Sequence, residues 1–190
     1  MSATGGGPKI TAGGSPDNTA GGGPDGGASG SPKAGRVRPA GARDLDRVAA
    51  LFSLLIEHHA SGQRMAQRIG AEDEIRAWFA SRIDAASDGA TRVLVFESGE
   101  NLPGLCVASL RVRPAIFRET QRGEIEHLFV RDTARRRGIG RVLVEEALGW
   151  LDSRGVSRVE VQVDRANSEG GAFWRALGFD PVMDVLERPL

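Results

Sequence analysis

The sequence predicts an α+β domain in which short strands pack against helices. Two stretches, residues 44–59 and 72–85, repeat apolar residues at helical spacing, and three short runs rich in valine and leucine follow them. The last of these runs leads directly into a basic turn that contains glycines, and then into a third helical region that ends near Arg154. These observations together favour a single sheet with helices packed against it.

Composition excludes several classes of protein. The 190 residues carry 25 Lys+Arg and 25 Asp+Glu, so a formally neutral chain is not a general nucleic-acid binder. The single cysteine, Cys106, permits no intramolecular disulfide and predicts a reducing, cytoplasmic compartment. No apolar run approaches the ~20 residues of a membrane span, and the first 30 residues lack the apolar core of a signal peptide. We therefore predict a cytoplasmic protein with no membrane partner.

The chain divides into a tail and one domain. Residues 1–35 are rich in glycine and proline, and Ile10 is their only large aliphatic residue after Met1. Such a segment cannot bury enough surface to offset its ordering entropy, so we predict a disordered extension. Residues 36–190 are long enough for one domain with a core of its own.

The first half of the domain predicts a strand, two helices and three strands. Asp44 opens the first helix, and an acidic first turn favours the start of the second. Turn-forming residues over 98–104 and a loop over 114–122 separate the strands. The predicted bounds are a strand at 36–40, helices at 44–59 and 72–85, and strands at 91–97, 105–112 and 124–130.

The second half predicts a helix, a strand, a short helix and a last extended segment. Gly155 ends the long helix, and alternating valines indicate the strand. Asn167 or Ser168 can cap the short helix. The predicted bounds are 138–154, 158–163, 167–178 and 179–190, so the order is β-α-α-β-β-β-α-β-α-β.

The basic turn, residues 131–141, has the composition of a phosphate site. The start of a helix carries unpaired N–H groups and a partial positive charge. Glycine lets that backbone approach an anion, and arginine adds charged hydrogen bonds. No Walker A loop fits, and a dinucleotide fingerprint fails because Leu143 stands at its third glycine. The remaining pattern is Arg135-x-x-Gly138-x-Gly140, for which a basic helix start that binds no ligand is the plainer alternative.

Two motifs resemble the GCN5-related N-acetyltransferases, the GNAT superfamily. The coenzyme A pyrophosphate loop of that family reads Arg/Gln-x-x-Gly-x-Gly/Ala between a strand and a helix, as residues 135–140 do. Asn167 followed by Ala172-Phe-Trp-Arg-Ala-Leu-Gly-Phe179 resembles a second family region. The resemblance covers residues 36–190. It implies a three-layer α/β arrangement, with a central mixed, mostly antiparallel sheet that splits at the two strands holding acyl-CoA.

The resemblance implies acetyl-CoA as cosubstrate and a set of residues that hold it. Leu128 and Val130 would pair with the pantetheine arm through their backbone, and the Leu128 N–H would stabilise the oxyanion. Backbone N–H groups over 136–141 would hold the pyrophosphate, while Asn167 would contact the pantetheine, cap its helix, or do both. The implied cofactor-binding residues are Leu128, Phe129, Val130, Arg135, Arg136, Arg137, Gly138, Ile139, Gly140, Arg141, Asn167, Phe173 and Trp174.

Glu126 is the residue we predict to serve as general base or amine anchor. Its stretch Glu-His-Leu-Phe-Val resembles Glu-Asp-Phe-Phe-Val of polyamine acetyltransferases, and a protonated amine must lose its proton before attack. An exposed strand carboxylate is the plainer alternative, and Glu124 is the fallback on the same face. Strand alternation predicts that His127 points to the opposite face.

Other candidate groups are weaker. The resemblance implies that residues 60–71 shape the acceptor site, and one of Glu57, His58 and His59 would contact the acceptor. Trp174 stands where many family members have the tyrosine assigned as general acid, and the chain contains no tyrosine. The thiolate would then leave through water or another group, or the fold would bind acyl-CoA without turnover. Cys106 is predicted to be a small buried hydrophobe rather than an acyl nucleophile.

The sequence therefore predicts an acetyl-CoA-dependent N-acetyltransferase that acts by direct transfer in a ternary complex. The acceptor would be a small-molecule amine or a protein amino group. An acyl-CoA-binding module with little turnover is the alternative. Nucleic-acid binding through residues 131–141 is disfavoured by the neutral charge and the lack of stacking aromatic residues beside them. No Cys/His spacing suggests a metal, and homodimers are common in the family.

Overall fold

The structure, a computed structural model, describes residues 35–60, 72–84, 89–186 and 188. The predicted tail, up to residue 34, and residues 61–71 of the predicted acceptor segment lie outside this description. The side chains of His58 and His59 lie outside it as well. Within the described ranges, no helix is both long enough and apolar enough to cross a membrane.

The described residues form one mixed sheet of five strands in the order β1-β2-β3-β4-β5. The first four strands pair antiparallel, and β5 pairs parallel with β4. This arrangement confirms the mixed, mostly antiparallel sheet expected from the sequence. The strand bounds are β1 (Arg36–Pro39), β2 (Thr91–Ser98), β3 (Asn101–Val112), β4 (Gln121–Val130) and β5 (Val159–Val161).

Four helices cover the two faces of the sheet. Alternation along the strands sends Val93, Val95 and Val107 to a core with α1 and α2, and sends Leu94 and Cys106 to a core with α3 and α4. Two cores on opposite faces make the three layers of an α+β domain. The helix bounds are α1 (Leu45–Ala60), α2 (Glu72–Asp84), α3 (Ile139–Asp152) and α4 (Ser168–Arg175).

A buried ion network ties β1 to the start of α1. Asp44 is fully buried and accepts hydrogen bonds from the Arg38 guanidinium at 2.6 and 3.0 Å and from Arg47 at 2.6 Å. Arg38 also bonds Glu97 of β2 at 2.6 Å. The hydrogen bond from Arg38 holds the pKa of Asp44 well below its ordinary value, and the same guanidinium lowers the pKa of Glu97 to about 2. The network therefore joins two strands and a helix through charges that stay ionised at neutral pH.

Two predicted elements differ from the structure. The turn predicted over residues 98–104 is shorter, because Gly99 takes a positive φ of 56° and β3 already begins at Asn101. The last predicted strand, residues 179–190, is wrong, since residues 179–186 form no strand. Pro181 has no N–H to donate, and β5 is only three residues long, so the sheet edge offers few partners.

Candidate active site

A gap opens between β4 and β5, the two parallel strands at one edge of the sheet. β4 and β5 pair only at Gly123, Glu124 and Ile125, which lie opposite residues 159–161. β5 ends at Val161, whereas β4 continues for five residues to Val130. The second half of β4 therefore borders a gap on the side away from β3, as the sequence predicted for these two strands.

The backbone of β4 directs two N–H groups into this gap. Arg131 donates its N–H to the Pro103 carbonyl of β3 at 2.9 Å. Because bonding alternates along an antiparallel pair, the N–H groups of Phe129 and His127 face β3 as well, and those of Leu128 and Val130 face away from it. An extended ligand in the gap would meet Leu128 and Val130 as a neighbouring strand would.

A β-bulge lies at the point where the gap begins. Val107 pairs with His127 and Ala108 pairs with Ile125, so Glu126 is an extra residue in β4. A bulge interrupts the simple alternation of side chains. Glu126 contacts Arg82 of α2, while the His127 ring packs 5.7 Å from the Trp78 ring of the same helix. The prediction that His127 points to the opposite face from Glu126 is therefore wrong, because the bulge returns both side chains to the α2 side.

Glu126 is almost enclosed, with 7% of its side chain exposed, and both its oxygens are engaged. Oε1 accepts hydrogen bonds from Arg82 Nη1 at 3.0 Å and from Ser109 Oγ at 2.5 Å. Oε2 lies 3.0 Å from Arg82 Nη2, and Arg111 approaches Oε1 at 3.3 Å. The fallback residue Glu124 accepts from Arg111 Nε at 2.5 Å. The two carboxylates therefore face guanidinium groups in this structure.

Aromatic side chains support this network from α1 and α2. The Arg82 guanidinium lies 3.9 Å above the Trp78 ring, within range of a cation–π interaction. Trp78 stacks on Phe52 at 5.5 Å, and His127 packs edge-on against Phe52 at 4.8 Å. Arg82 lies 44 residues from Glu126 in the chain. No local pattern pointed to it, so sequence reasoning missed this residue.

The basic turn begins where β4 ends and leads into α3. Arg135 bonds the Val130 carbonyl through Nε at 3.1 Å and Asp132 through Nη2 at 2.9 Å, so its side chain braces the turn. Arg136 has a positive φ of 61° and Gly138 one of 80°. These left-handed residues turn the chain so that Gly138 caps α3. The start of α3 thus leaves backbone N–H groups at one end of the gap.

The other arginines of the turn extend into solvent. Arg136 is 87% exposed and its nearest carboxylate, Glu169, lies at 3.8 Å. Arg137 is exposed too, and Arg141 is half exposed with Glu145 at 3.9 Å. Such long, open contacts leave these guanidinium groups available to a phosphate. The positive charge predicted for this turn therefore lies on its surface, apart from the bracing Arg135.

The second sequence motif packs beside the turn. A Cβ on Gly140 would lie 3.3 Å from the Phe173 ring, so a larger residue at this position would require that ring to shift by a few tenths of an ångström. Asn167 caps α4 by accepting the Gly170 N–H at 2.8 Å, which is the capping alternative raised from the sequence. Trp174 is buried, with Phe173 at 5.2 Å and Phe179 at 5.1 Å. The aromatic residue at the usual tyrosine position is thus a core side chain.

A pocket of about 390 Å³ opens on the α1 side of the same strand. Leu54 and Glu57 of α1 form one wall, and Phe129 with residues 131–133 forms the other. Glu57 therefore lines a pocket beside the end of β4, and its contact with an acceptor stays a prediction. Arg131, Asp132 and Thr133 belong to the basic turn, for which the sequence predicted anion binding and no pocket on the α1 side.

Cys106 has no access to either opening. Its side chain is fully buried in β3, and burial raises the pKa of its thiol to about 12. A thiol in that state is a poor nucleophile, which agrees with the predicted role as a small core residue. Across the described ranges, no group of three or more His, Cys, Asp or Glu side chains could hold a metal ion.

A five-stranded mixed sheet, split between parallel strands beside a glycine-containing helix start, defines an α+β protein of the GNAT fold. The profile of the Acetyltransferase (GNAT) family matches residues 52–179. The chain therefore belongs to this family.

Relatives and solved structures agree with this assignment. A mycothiol acetyltransferase of Beutenbergia cavernae is 31% identical in an alignment 166 residues long, which covers 76% of this chain and 52% of that protein. The chain thus spans about half the length of the curated relatives it matches. A protein of Bacillus halodurans superposes with a TM-score of 0.71 at 26% identity, over 82% of this chain and 99% of that one. The aminoglycoside N-acetyltransferase AAC(6')-Iy in complex with CoA superposes at 0.67 with 17% identity, over 82% and 94% of the chains, and shows the shared fold alone.

Proposed function

We propose that the protein transfers an acetyl group from acetyl-CoA to a primary amine, directly and within a ternary complex. The observation that carries this proposal is that the gap, the two N–H groups that face it and the start of α3 follow one another along the chain. A linear molecule with a pyrophosphate at one end and a thioester at the other fits that order. Acetyl-CoA supplies the activated acetyl group.

The residues along the gap would meet the parts of acetyl-CoA in order. The N–H groups of Leu128 and Val130 would pair with the amides of the pantetheine arm. The backbone from Arg136 to Arg141 would hold the pyrophosphate, with Gly138 and Gly140 keeping that surface free of side chains. The Leu128 N–H lies at the bulge end of the gap, so it is the donor we assign to the developing oxyanion.

Glu126 and Trp174 are the side chains that the sequence brought forward for the two proton transfers. Glu126 stays the predicted base or amine anchor, but its contacts with Arg82 and Ser109 favour a role in holding α2 against β4. Trp174 is buried and its indole is a weak donor. We therefore propose that the CoA thiolate leaves without a protein acid, since a thiol with a pKa near ~8.5 is an adequate leaving group.

Calorimetric titration with acetyl-CoA and CoA tests this function. We expect micromolar binding by the wild type and a loss of more than about tenfold in Gly138→Glu, because the new carboxylate repels the pyrophosphate. Gly155→Glu is the matched control. Gly155 also has a positive φ, of 75°, but lies at the other end of α3 with open space around it. Equal losses of affinity in both variants would attribute the effect to backbone strain rather than to the pyrophosphate site in the basic turn.

An acceptor panel, followed by release of free thiol, then separates enzyme from binding module. Thiol release that depends on a primary amine supports the transferase. Tight binding of acetyl-CoA without transfer to any amine would favour the alternative, an acyl-CoA-binding module, for which the buried Trp174 and the absence of tyrosine are the supporting observations. A wild type that binds neither acetyl-CoA nor CoA would refute both functions.

A further inference from the structure

We propose that the pocket between α1 and the end of β4 binds the acceptor, and that it selects an amine that also carries an anionic group. Glu57 would bind the ammonium and Arg131 the anion. An α-amino acid with an apolar side chain is the simplest molecule of this class. The inference rests on the proposed function, because it assigns the second substrate of the same reaction.

The pocket has the volume of a small-molecule site and a lining that is partly apolar and partly charged. Its volume of about 390 Å³ lies in the range of ligand pockets. Leu54 and the buried Phe129 offer an apolar surface, while Glu57, Arg131 and Thr133 offer polar groups. An acceptor with an apolar body and polar ends would therefore match both the apolar and the polar residues of the lining.

The charged side chains of the pocket differ in whether another residue already forms an ion pair with them. Asp132 is held by Arg135 at 2.9 Å, so its carboxylate is already compensated. Neither Glu57 nor the Arg131 side chain forms an ion pair with another residue that the structure describes. Most other arginines around this face have carboxylate partners, as Arg82 and Arg111 do. One carboxylate and one guanidinium thus remain for a ligand that carries both opposite charges.

A purely cationic amine fits this pocket less well. It would satisfy Glu57 but place further positive charge beside Arg131, and like charges at close range are unfavourable. A zwitterion compensates both groups. The charge pattern therefore favours an amino acid over a polyamine as acceptor. The sequence alone predicted only a small-molecule amine or a protein amino group.

The pocket also lies beside the strand that borders the gap. Phe129 lines the pocket with its side chain, and its neighbours Leu128 and Val130 face the gap with their N–H groups. The acceptor and the thioester would therefore lie on adjoining sides of one strand. Binding in the pocket can bring an amine to the acetyl group without displacing the pantetheine arm.

Steady-state kinetics with three probe acceptors test the assignment: L-leucine, L-leucinamide and spermidine. Glu57→Gln should raise the KM of both leucine and leucinamide about tenfold, the loss expected for one charged hydrogen bond. Arg131→Gln should raise the KM of leucine alone, because leucinamide has no carboxylate. Glu57→Asp should restore part of the leucine affinity, and the KM of acetyl-CoA should stay unchanged in all three variants. Glu146→Gln, an exposed carboxylate of α3 on the other face of the sheet, is the control.

Titration of L-leucine into the CoA-bound protein gives a readout that needs no turnover. Binding by the wild type that Glu57→Gln and Arg131→Gln both weaken supports the proposal. Absence of leucine binding would overturn the proposal, and so would a preference for spermidine that Arg131→Gln leaves unchanged. In either case the protein would still bind acetyl-CoA and transfer its acetyl group, so the proposed function would be unaffected. Failure of the proposed function would instead appear as a wild-type protein that does not bind acetyl-CoA.

Discussion

At the scale of single residues, the position of Glu126 illustrates how surroundings decide the role of a carboxylate. In sequence it is one acidic residue in an apolar strand. In the structure it receives a two-point contact from Arg82, a hydrogen bond from Ser109 and a longer contact from Arg111. A nearly enclosed carboxylate of this kind stabilises the packing of α2 on β4, whatever part it takes in proton transfer.

A double-mutant cycle of Arg82 and Glu126 measures that contribution. We expect Arg82→Gln and Glu126→Gln each to lower the free energy of unfolding by about 1.5–3 kcal/mol, as for hydrogen bonds to charged groups. The two changes should couple by about 0.5–3 kcal/mol, since each removes the same contact. Chemical denaturation monitored by circular dichroism gives the values. Purely additive losses would show that the ion pair contributes nothing to stability.

The same Glu126→Gln variant tests the catalytic prediction. If Glu126 accepts the proton, the rate of transfer at neutral pH falls more than tenfold and the acidic limb of the pH–rate profile disappears, since one proton transfer is worth about 10²–10⁴-fold. An unchanged profile with a lower Tm would assign the residue to structure alone. Glu124→Gln, which loses its contact with Arg111 but not the contacts of Glu126, is the control.

At the scale of the elements, the second half of β4 is the part of the molecule on which the proposed chemistry depends. The strand pairs with β3 throughout, but with β5 only as far as Ile125. The bulge at Glu126 marks the start of the unpaired edge. Pairing with β3 holds the strand in place, while the unpaired edge leaves the N–H groups of Leu128 and Val130 for a ligand.

Proline substitution can remove one of these N–H groups without breaking the pairing to β3. Proline is tolerated where the N–H faces an open edge, and the N–H of Leu128 does so. We expect Leu128→Pro to lower kcat about 10²–10³-fold, the cost of one oxyanion donor. Val130→Pro removes a donor nearer the pyrophosphate end, and it should raise the KM of acetyl-CoA instead. Equal effects of the two variants on kcat would remove Leu128 from the role of oxyanion donor.

At the scale of the whole molecule, the Asp44 network contributes to global stability and to its dependence on pH. Asp44 has a pKa far below the ordinary ~3.9 of an aspartate. A carboxylate whose folded pKa is lowered stabilises the protein above its unfolded pKa, and that contribution is lost as pH falls through the folded pKa. Glu97, with a pKa of about 2, acts in the same direction.

We therefore expect the free energy of unfolding to decrease as pH falls below about 4. Asp44→Asn should destabilise the protein by about 3–5 kcal/mol at neutral pH, because it removes the buried charge with which the Arg38 guanidinium pairs. It should also flatten the acidic decline. Asp46→Asn, whose side chain is 73% exposed, is the control. Unfolding in guanidinium chloride at several pH values provides the measurement. If the free energy of unfolding of Asp44→Asn fell with decreasing pH as steeply as that of the wild type, this account would be contradicted.

Much of the fold followed from local patterns. The helices and the internal strands appeared close to their predicted bounds because each combines a clear apolar period with turn or cap residues, such as Gly155 after α3 and Asn167 before α4. The final predicted strand failed for a non-local reason. Whether residues 179–186 pair depends on the length of the neighbouring edge strand, which no pattern within those residues encodes.

The candidate site divides in the same way. The sequence alone determined the family resemblance, the order of the elements and the basic turn with its two glycines, because helix starts, turns and glycine conformations depend on neighbouring residues. Only the tertiary structure decided which side chains meet there. The bulge that turns His127 back towards α2, the pairing of Glu126 with Arg82, and the pocket that joins Glu57 to Arg131 all connect residues far apart in the chain. Such contacts form only when the helices pack on the sheet, and no spacing in the sequence records them.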